Sequence, residues 1–248
     1  MRNNAIEGIT FDLWNTLIVD VEGGGVARAR RRIDATADIL SEYGVGRTKE
    51  RIAEVYWDSQ RKFENVRTRG LDTTFEVQLD DFLDSIEPGL SKSLEAEGKE
   101  RVSERHLNAF LEHPPALMPG VLETLATLTD EGYRMGLICN SGTTPGSLAR
   151  KFLADIGVAQ YLVHLTFSDE EGLAKPAPSL FLDTLEAMGA RADKSAHVGD
   201  RPETDILGAQ RVGMRAVLIG GASWDHVPVV PDACVDKLAE LPGALAGL

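Results

Sequence analysis

Gly8-Ile9-Thr10-Phe11-Asp12-Leu13-Trp14-Asn15-Thr16-Leu17 reads as a short buried strand, Ile6 to Phe11, that ends on one carboxylate. An acid leaving the carboxyl end of an inner strand is costly to desolvate, so Asp12 points to a nucleophile or a metal ligand. The alternative is a turn or helix-capping aspartate. Two residues on stands Trp14, whose indole is a donor only and cannot shuttle a proton.

Outward from this strand, β-branched apolar runs alternate with helical patterns. Val121, Leu122, Leu125 and Leu128 recur at helical spacing within Gly120 to Glu131, with Pro119 suited to the start and Gly132 to the end. Arg134 to Cys139 reads as a strand, Pro145 to Leu153 as a helix and Tyr161 to Phe167 as a strand. Pro178 to Met188 is a helix stopped by Gly189. Ser195 to Val198 (strand), Glu203 to Val212 (helix) and Arg215 to Ile219 (strand) follow. This alternation predicts an α/β fold, a Rossmann-like parallel sheet with helices on both faces.

Residues 22–114 break the alternation. Arg28 to Tyr43, Lys49 to Val66, Thr73 to Ile86 and Glu95 to Leu111 all carry helical patterns, with no strand between them. Gly23-Gly24-Gly25 opens the block and Pro114-Pro115 closes it. The division expected is therefore a core of residues 1–21 and 115–248 with an inserted helical cap, 22–114. The cap is either a mobile lid or a fixed layer. The run Arg28, Arg30, Arg31, Arg32 either gathers an anionic substrate or forms a solvated helix face.

Three later loops carry polar groups. Asn140, in Cys139-Asn140-Ser141-Gly142, either contributes to an anion-binding loop or only caps a turn. Lys175, stiffened by Pro176 and Pro178, either neutralises a phosphate together with the attacking carboxylate or lies exposed. Asp200 and Asp205 straddle the start of a helix. They either face one hard cation such as Mg²⁺ or serve the strand end and helix N-terminus. His197 reads as structural, and His106, His113, His164 and His226 have no motif around them.

At 248 residues and a net charge of -13, the chain is long enough for one α/β core with an insertion and too acidic for a broad nucleic-acid surface. No stretch approaches the roughly 18 apolar residues of a membrane span, and Met1 to Glu7 lacks a signal-like apolar run. Cys139 and Cys234 are far apart and read as reduced thiols, so a cytoplasmic protein with neither membrane nor nucleic-acid partners is expected.

Together the loops resemble the haloacid dehalogenase superfamily of aspartate-nucleophile hydrolases. The segments that carry the resemblance are Phe-Asp-Leu-Trp-Asn-Thr-Leu (11–17), Leu-Ile-Cys-Asn-Ser (137–141), Ser-Asp-Glu-Glu-Gly-Leu-Ala-Lys-Pro (168–176) and His-Val-Gly-Asp-Arg-Pro-Glu-Thr-Asp (197–205). The insertion falls where the subgroup capped between its first and second motifs has one. The resemblance implies Asp12 as nucleophile, Cys139 and Asn140 in the phosphate-binding second motif, and Lys175 as the lysine that stabilises the charged intermediate. It implies Mg²⁺ held by Asp12, the Trp14 carbonyl, Asp200 and Asp205, with Trp14 and Thr16 at the substrate pocket.

The chain departs from that pattern twice. Trp14 replaces the aspartate that serves phosphatases of the family as general acid and base, assistance typically worth about 10²–10⁴ in rate. Cys139 replaces a serine or threonine and is a weaker donor. The expected function is a Mg²⁺-dependent phosphatase-type hydrolase of small phosphorylated or otherwise anionic substrates, favouring good leaving groups. Two alternatives stand: a metal-independent 2-haloacid dehalogenase, because such enzymes carry an aromatic residue at the Trp14 position, and a weakly active or inactive binding or regulatory protein.

Overall fold

The computed structural model describes residues 6–223 and 227–248, so the readings made on Met1 to Ala5 and on His226 lie outside the described residues. The strands in chain order are β1 (Gly8–Phe11), β2 (Ile18–Val19), β3 (Ala116–Leu117), β4 (Arg134–Cys139), β5 (His164–Phe167), β6 (Ser195–Gly199), β7 (Arg215–Ile219) and β8 (Ala233–Val235). Six of them form one parallel sheet in the order β5-β4-β1-β6-β7-β8, and β2 pairs antiparallel with β3.

The helices are α1 (Gly24–Glu42), α2 (Lys49–Arg67), α3 (Phe75–Ile86), α4 (Leu90–Ser93), α5 (Ala96–Glu112), α6 (Val121–Asp130), α7 (Gly146–Asp155), α8 (Ser168–Glu171), α9 (Pro178–Met188), α10 (Leu207–Arg211) and α11 (Leu241–Leu245). Strand alternation sends Ile9 and Phe11 of β1 to a core shared with α6, α7 and α11. Ile138, Ala216 and Leu218 face the other way, against α9 and α10. Both faces of the sheet are thus covered by helices, as the alternating pattern predicts. Among the described residues no helix is long and apolar enough to cross a membrane. Cys139 and Cys234 are both free thiols.

Helices α1 to α5 bury their own apolar cluster, including Leu40, Ile52, Leu83 and Val102. Thr48 and Thr74 cap α2 and α3 by accepting from Arg51 N and Val77 N. The chain enters and leaves this bundle beside the β2–β3 ribbon, a pairing too short to show as a pattern in sequence.

Several elements differ from expectation. The strand predicted from Tyr161 shortens to His164–Phe167, because Ala159–Tyr161 makes a 3₁₀ turn. The helix predicted over Glu203 to Val212 is a π turn, Pro202–Ile206, running into the short α10. The arginine run is divided between a solvated face and the interior. Arg28 and Arg32 are buried, and Arg30 and Arg31 are exposed.

His106 of α5 is buried among α1, α2 and α3, against Tyr56 and Phe82. Thr36 Oγ1 donates to Arg32 O, so it accepts from His106 Nε2 at 2.9 Å, which places a proton on Nε2. Burial, reinforced by the Arg32 charge, pushes its pKa down to about 3. An unfolded histidine titrates near 6.5, so between these values the unfolded chain binds more protons and stability falls as pH falls. His106 alone is expected to remove about 2 kcal/mol of stability between pH 7 and pH 5. Urea unfolding of the wild-type protein and His106→Gln at the two pH values checks this: the variant should lose less on acidification, and equal losses would contradict it.

Candidate active site

β1 is bonded to β4 on one side and to β6 on the other, so residues leaving the carboxyl ends of these three strands meet at one edge. This is the crevice in which open parallel sheets bind ligands. Asp12 follows β1, Asn140 follows β4 and Asp200 follows β6. Lys175 comes from the loop between α8 and α9. All four line one cavity of about 230 Å³, with Trp14, Asn15, Gly142, Arg201 and Thr204 from the same region. Glu64 and Arg67 of α2 line it from the helical bundle.

Lys175 is 1 % exposed, and its ammonium lies 2.5 Å from Asp12 Oδ1 and 2.8 Å from Asp205 Oδ1. Burial alone would lower its pKa, but the two carboxylates outweigh it and hold the ammonium charged. Asp12 is pushed up to about 7, chiefly by burial and against the pull of Lys175, with Asp205 and Asp200 adding to the rise. Asp205 goes the other way. Burial opposes its charge, but Lys175 and His197 prevail and keep it ionised. Asp205 also accepts from Arg201 N at 2.9 Å, and a Cβ on Gly199 would sit 2.4 Å from its carboxyl carbon. The close approach therefore requires glycine at the end of β6. His197 is buried, shares a 2.8 Å hydrogen bond with Thr10, and lies 3.4 Å from Asp205. Its place is structural, as read.

Among the described residues, Asp12, Asp200 and Asp205 each bring one oxygen within 4.8 Å of the others. Three carboxylates around one ammonium leave two negative charges uncompensated when all are ionised. Such a hard-oxygen set suits a divalent cation. Asp200 is half-buried, its pKa raised by burial and by Asp205, and it accepts from Asn15 Nδ2 at 3.0 Å. Asn15 reaches it from the left-handed region, at φ 57°, which asparagine tolerates better than most residues.

Trp14 contributes to the cavity wall, but its ring also packs into the joint with the helical bundle. It meets Phe110 of α5 edge-on at 6.4 Å, and the Arg28 guanidinium lies 5.4 Å from its centroid. Arg28 also pairs with Asp20 at 2.6 Å and donates to His113 O at 2.9 Å, so one side chain grips the chain on both sides of the bundle.

Two residues expected at the site, Thr16 at the pocket and Cys139 in the phosphate-binding motif, do not line the cavity. Thr16 is fully buried, its hydroxyl has no hydrogen-bond partner, and it does not line the cavity. Cys139 is inside the core, where burial pushes its thiol up, so it remains a neutral apolar filler. Asn140 does line the cavity, but its side chain is committed to Lys175. Oδ1 accepts from Lys175 N at 2.8 Å and Nδ2 donates to Lys175 O at 3.1 Å. It fixes the lysine's backbone with Oδ1 and one of the two Nδ2 hydrogens, so its first commitment is structural.

Sequence reading missed Asn15, Arg201 and Thr204, which sit inside motifs already singled out. It also missed Glu64 and Arg67, which lie on an ordinary amphipathic helix with no motif to mark them. Replacing Lys175 with methionine leaves Asp12 and Asp205 buried without a countercharge. Lys175→Met is expected to cost about 3–5 kcal/mol, a drop in melting temperature on the order of 10 °C. Asp12→Asn keeps the Lys175–Asp205 pair and should lose much less. Thermal melts of the two variants decide, and equal losses would contradict the buried-charge account.

Comparison with known proteins finds similarity over most of the chain. The family model described as haloacid dehalogenase-like hydrolase matches residues 6–213. A ribulose-1,5-bisphosphate 5-phosphatase of Halopiger xanaduensis is 29% identical over 216 residues, 85% of this chain and 83% of that protein. A glyceraldehyde 3-phosphate phosphatase of Methanopyrus kandleri is 29% identical over 130 residues, 50% of this chain and 54% of that protein. The chain spans about half the length, or less, of the glyceraldehyde 3-phosphate phosphatases it matches. A crystal structure of a 2-haloacid dehalogenase from Pseudomonas syringae superposes with a TM-score of 0.72 at 26% identity, covering 98% of this chain and 99% of that one. Matched over most of its length, the chain belongs to the haloacid dehalogenase-like hydrolases.

Proposed function

We propose that this protein is a Mg²⁺-dependent, phosphatase-type hydrolase of small phosphorylated substrates, with Asp12 as nucleophile. The observation that carries the reading is the Asp12 carboxylate at the cavity wall, 2.5 Å from the buried Lys175 ammonium. Similarity to phosphatases of ribulose 1,5-bisphosphate and glyceraldehyde 3-phosphate supports it. In this reading residues 22–114 form a cap over a core of 1–21 and 115–248, supported by the bundle's Glu64 and Arg67 lining the same cavity as Asp12.

An Asp12 oxygen attacks phosphorus, the bond to the leaving oxygen breaks, and that oxygen takes the electron pair. Lys175 Nζ neutralises charge on Asp12 and on the incoming phosphoryl group, assistance that is electrostatic. Water then attacks phosphorus, the phosphorus–Asp12 bond breaks, Asp12 is restored and the proton passes to solvent. The acidic set fits Mg²⁺, with Asp12, Asp200 and the Trp14 carbonyl as the residues that would hold it and Asp205 behind them. Bound there, the ion would supply further neutralisation of phosphoryl charge. Trp14 offers no proton to the leaving oxygen, so leaving groups stable as anions are favoured.

Purified protein assayed with acetyl phosphate and p-nitrophenyl phosphate, with and without Mg²⁺, tests the reading. Turnover should need both Mg²⁺ and Asp12, and activity no higher than that of Asp12→Asn would overturn it. Trp14→Asp should raise kcat/KM for phenyl phosphate by about 10²-fold relative to acetyl phosphate, since only the poorer leaving group needs the acid. A second reading, metal-independent dehalogenation, is favoured by the aromatic at position 14 and the similarity to the Pseudomonas dehalogenase. Halide released from a 2-haloacid in the presence of EDTA would select it.

A further inference from the structure

Arg67 is the last residue of α2, and its placement is set by the chain that follows. Asp72 N donates to Gly172 O at 3.1 Å and Ala174 N donates to Gly70 O at 3.0 Å, with Leu71 and Leu173 facing each other between these bonds. This backbone pairing ends one residue short of Lys175. The end of α2 is therefore tied directly to the loop that carries the lysine, and Arg67 reaches the cavity that Asp12 and Lys175 line.

The Arg67 side chain is only 7% exposed, yet its donors are poorly used. Nε donates to Glu64 Oε2 at 3.3 Å, while Nη1 lies 3.6 Å from Asp72 Oδ1 and has no hydrogen-bond partner. A buried guanidinium donor left without an acceptor costs more than most buried polar groups, because the group is charged. Glu64 is shared. Its other oxygen accepts from Arg201 Nη1 at 2.8 Å, and Arg201 lines the same cavity. Beside Asp12, Lys175 and Asp200, the wall thus carries two guanidinium groups, Arg67 and Arg201, and the carboxylate of Glu64, while Asp72 lies next to Arg67 without lining the cavity.

We infer that Arg67 is a specificity-determining residue that binds a carboxylate on the organic part of the substrate, with Arg201 beside it. The inference rests on the phosphatase reading for which group lies at Asp12, and it adds the substrate class: small phosphorylated carboxylic acids. A carboxylate matches the planar fork of a guanidinium and carries one charge. A second phosphate would bring about two charges to two guanidinium groups already flanked by the carboxylates of Glu64 and Asp72. The cavity, about 230 Å³, equals roughly eight waters at about 30 Å³ each, room for a phosphoryl group and a few further atoms.

Calorimetric titration of the Asp12→Asn protein in Mg²⁺ buffer tests the inference with two probes that share a skeleton, 3-phosphoglycerate and glycerol 3-phosphate. Binding does not depend on leaving-group ability, so Trp14 does not bias the comparison. The carboxylate probe should bind roughly tenfold tighter or more, and Arg67→Gln should bring the two within about threefold of each other. Equal affinities, no binding of either probe, or a preference that survives Arg67→Gln would overturn the inference, as would an equal loss for both probes. Should melts show Arg67→Gln unfolded, Arg67→Lys replaces it. The ammonium keeps the charge without the planar donors, and an undiminished preference overturns the inference. Turnover of acetyl phosphate by the wild-type protein is measured alongside. Its absence counts against the phosphatase reading and leaves the binding comparison to be judged on its own.

Discussion

The ammonium of Lys175 between Asp12 and Asp205 is the constraint on which the rest of the site depends. Each partner comes from a different part of the chain: one follows β1, one lies in the π turn after β6, and the lysine belongs to the α8–α9 loop. Desolvating three charges costs several kcal/mol per ion unless geometry repays it. The surrounding structure is organised to do so. Asn140 clamps the lysine's backbone from both sides, Arg201 N and His197 hold Asp205, and Gly199 leaves room for that carboxyl. The π turn at Pro202–Ile206 has a local rationale in the same terms, since it keeps Asp205 within reach of Arg201 N.

The helical bundle is bound to this centre by polar contacts as well as by Phe110 of α5, which packs into the apolar core of the sheet. Asp72 accepts from Ser168 at 2.5 Å, and Ser168 in turn accepts from Ser141 N beside Asn140. Arg32, buried in α1, donates to Thr143 in the loop after β4 at 2.8 Å, and Glu64 pairs with Arg201. Every one of these contacts ends within a few residues of Asn140, Lys175 or Asp200. The orientation of the bundle and the shape of the cavity are therefore set by the same bonds. Such contacts are short-range and individually modest.

What was legible in the sequence follows from range. The sheet, its helices and the four loop positions were readable because each is encoded by local periodicity or by a short motif. Asp12, Lys175 and Asp200 reach the cavity as expected, with Asp205 behind them. Asn140 was located correctly, but its partner is a backbone 35 residues away, which no local pattern announces. The resemblance implies Thr16 at the pocket, but the chain after Asn15 buries it in the interior. Glu64 and Arg67 were invisible for a different reason. On an amphipathic helix two charged residues are the default, and only the docking of residues 70–72 onto 172–174 gives them meaning. The arginine run failed similarly, because helix periodicity does not reveal that the side of α1 bearing Arg28 and Arg32 is enclosed by other elements.

Trp14 joins these points. At the position where a proton-transfer group would be most useful, the chain has a residue whose ring is shared between the cavity and the joint. One of its neighbours is Phe110 of α5, and another is Arg28, which holds Asp20 on the way into the bundle and His113 on the way out. An aspartate there would offer Arg28 a carboxylate within the same neighbourhood and remove the aromatic surface against which it rests. Acid catalysis and the packing of the joint thus compete for one residue, and in this chain the packing has it. On the proposed phosphatase reading, Asp12, Lys175 and the acidic cluster then act without a proton donor at position 14, and the leaving group becomes the variable that governs the rate.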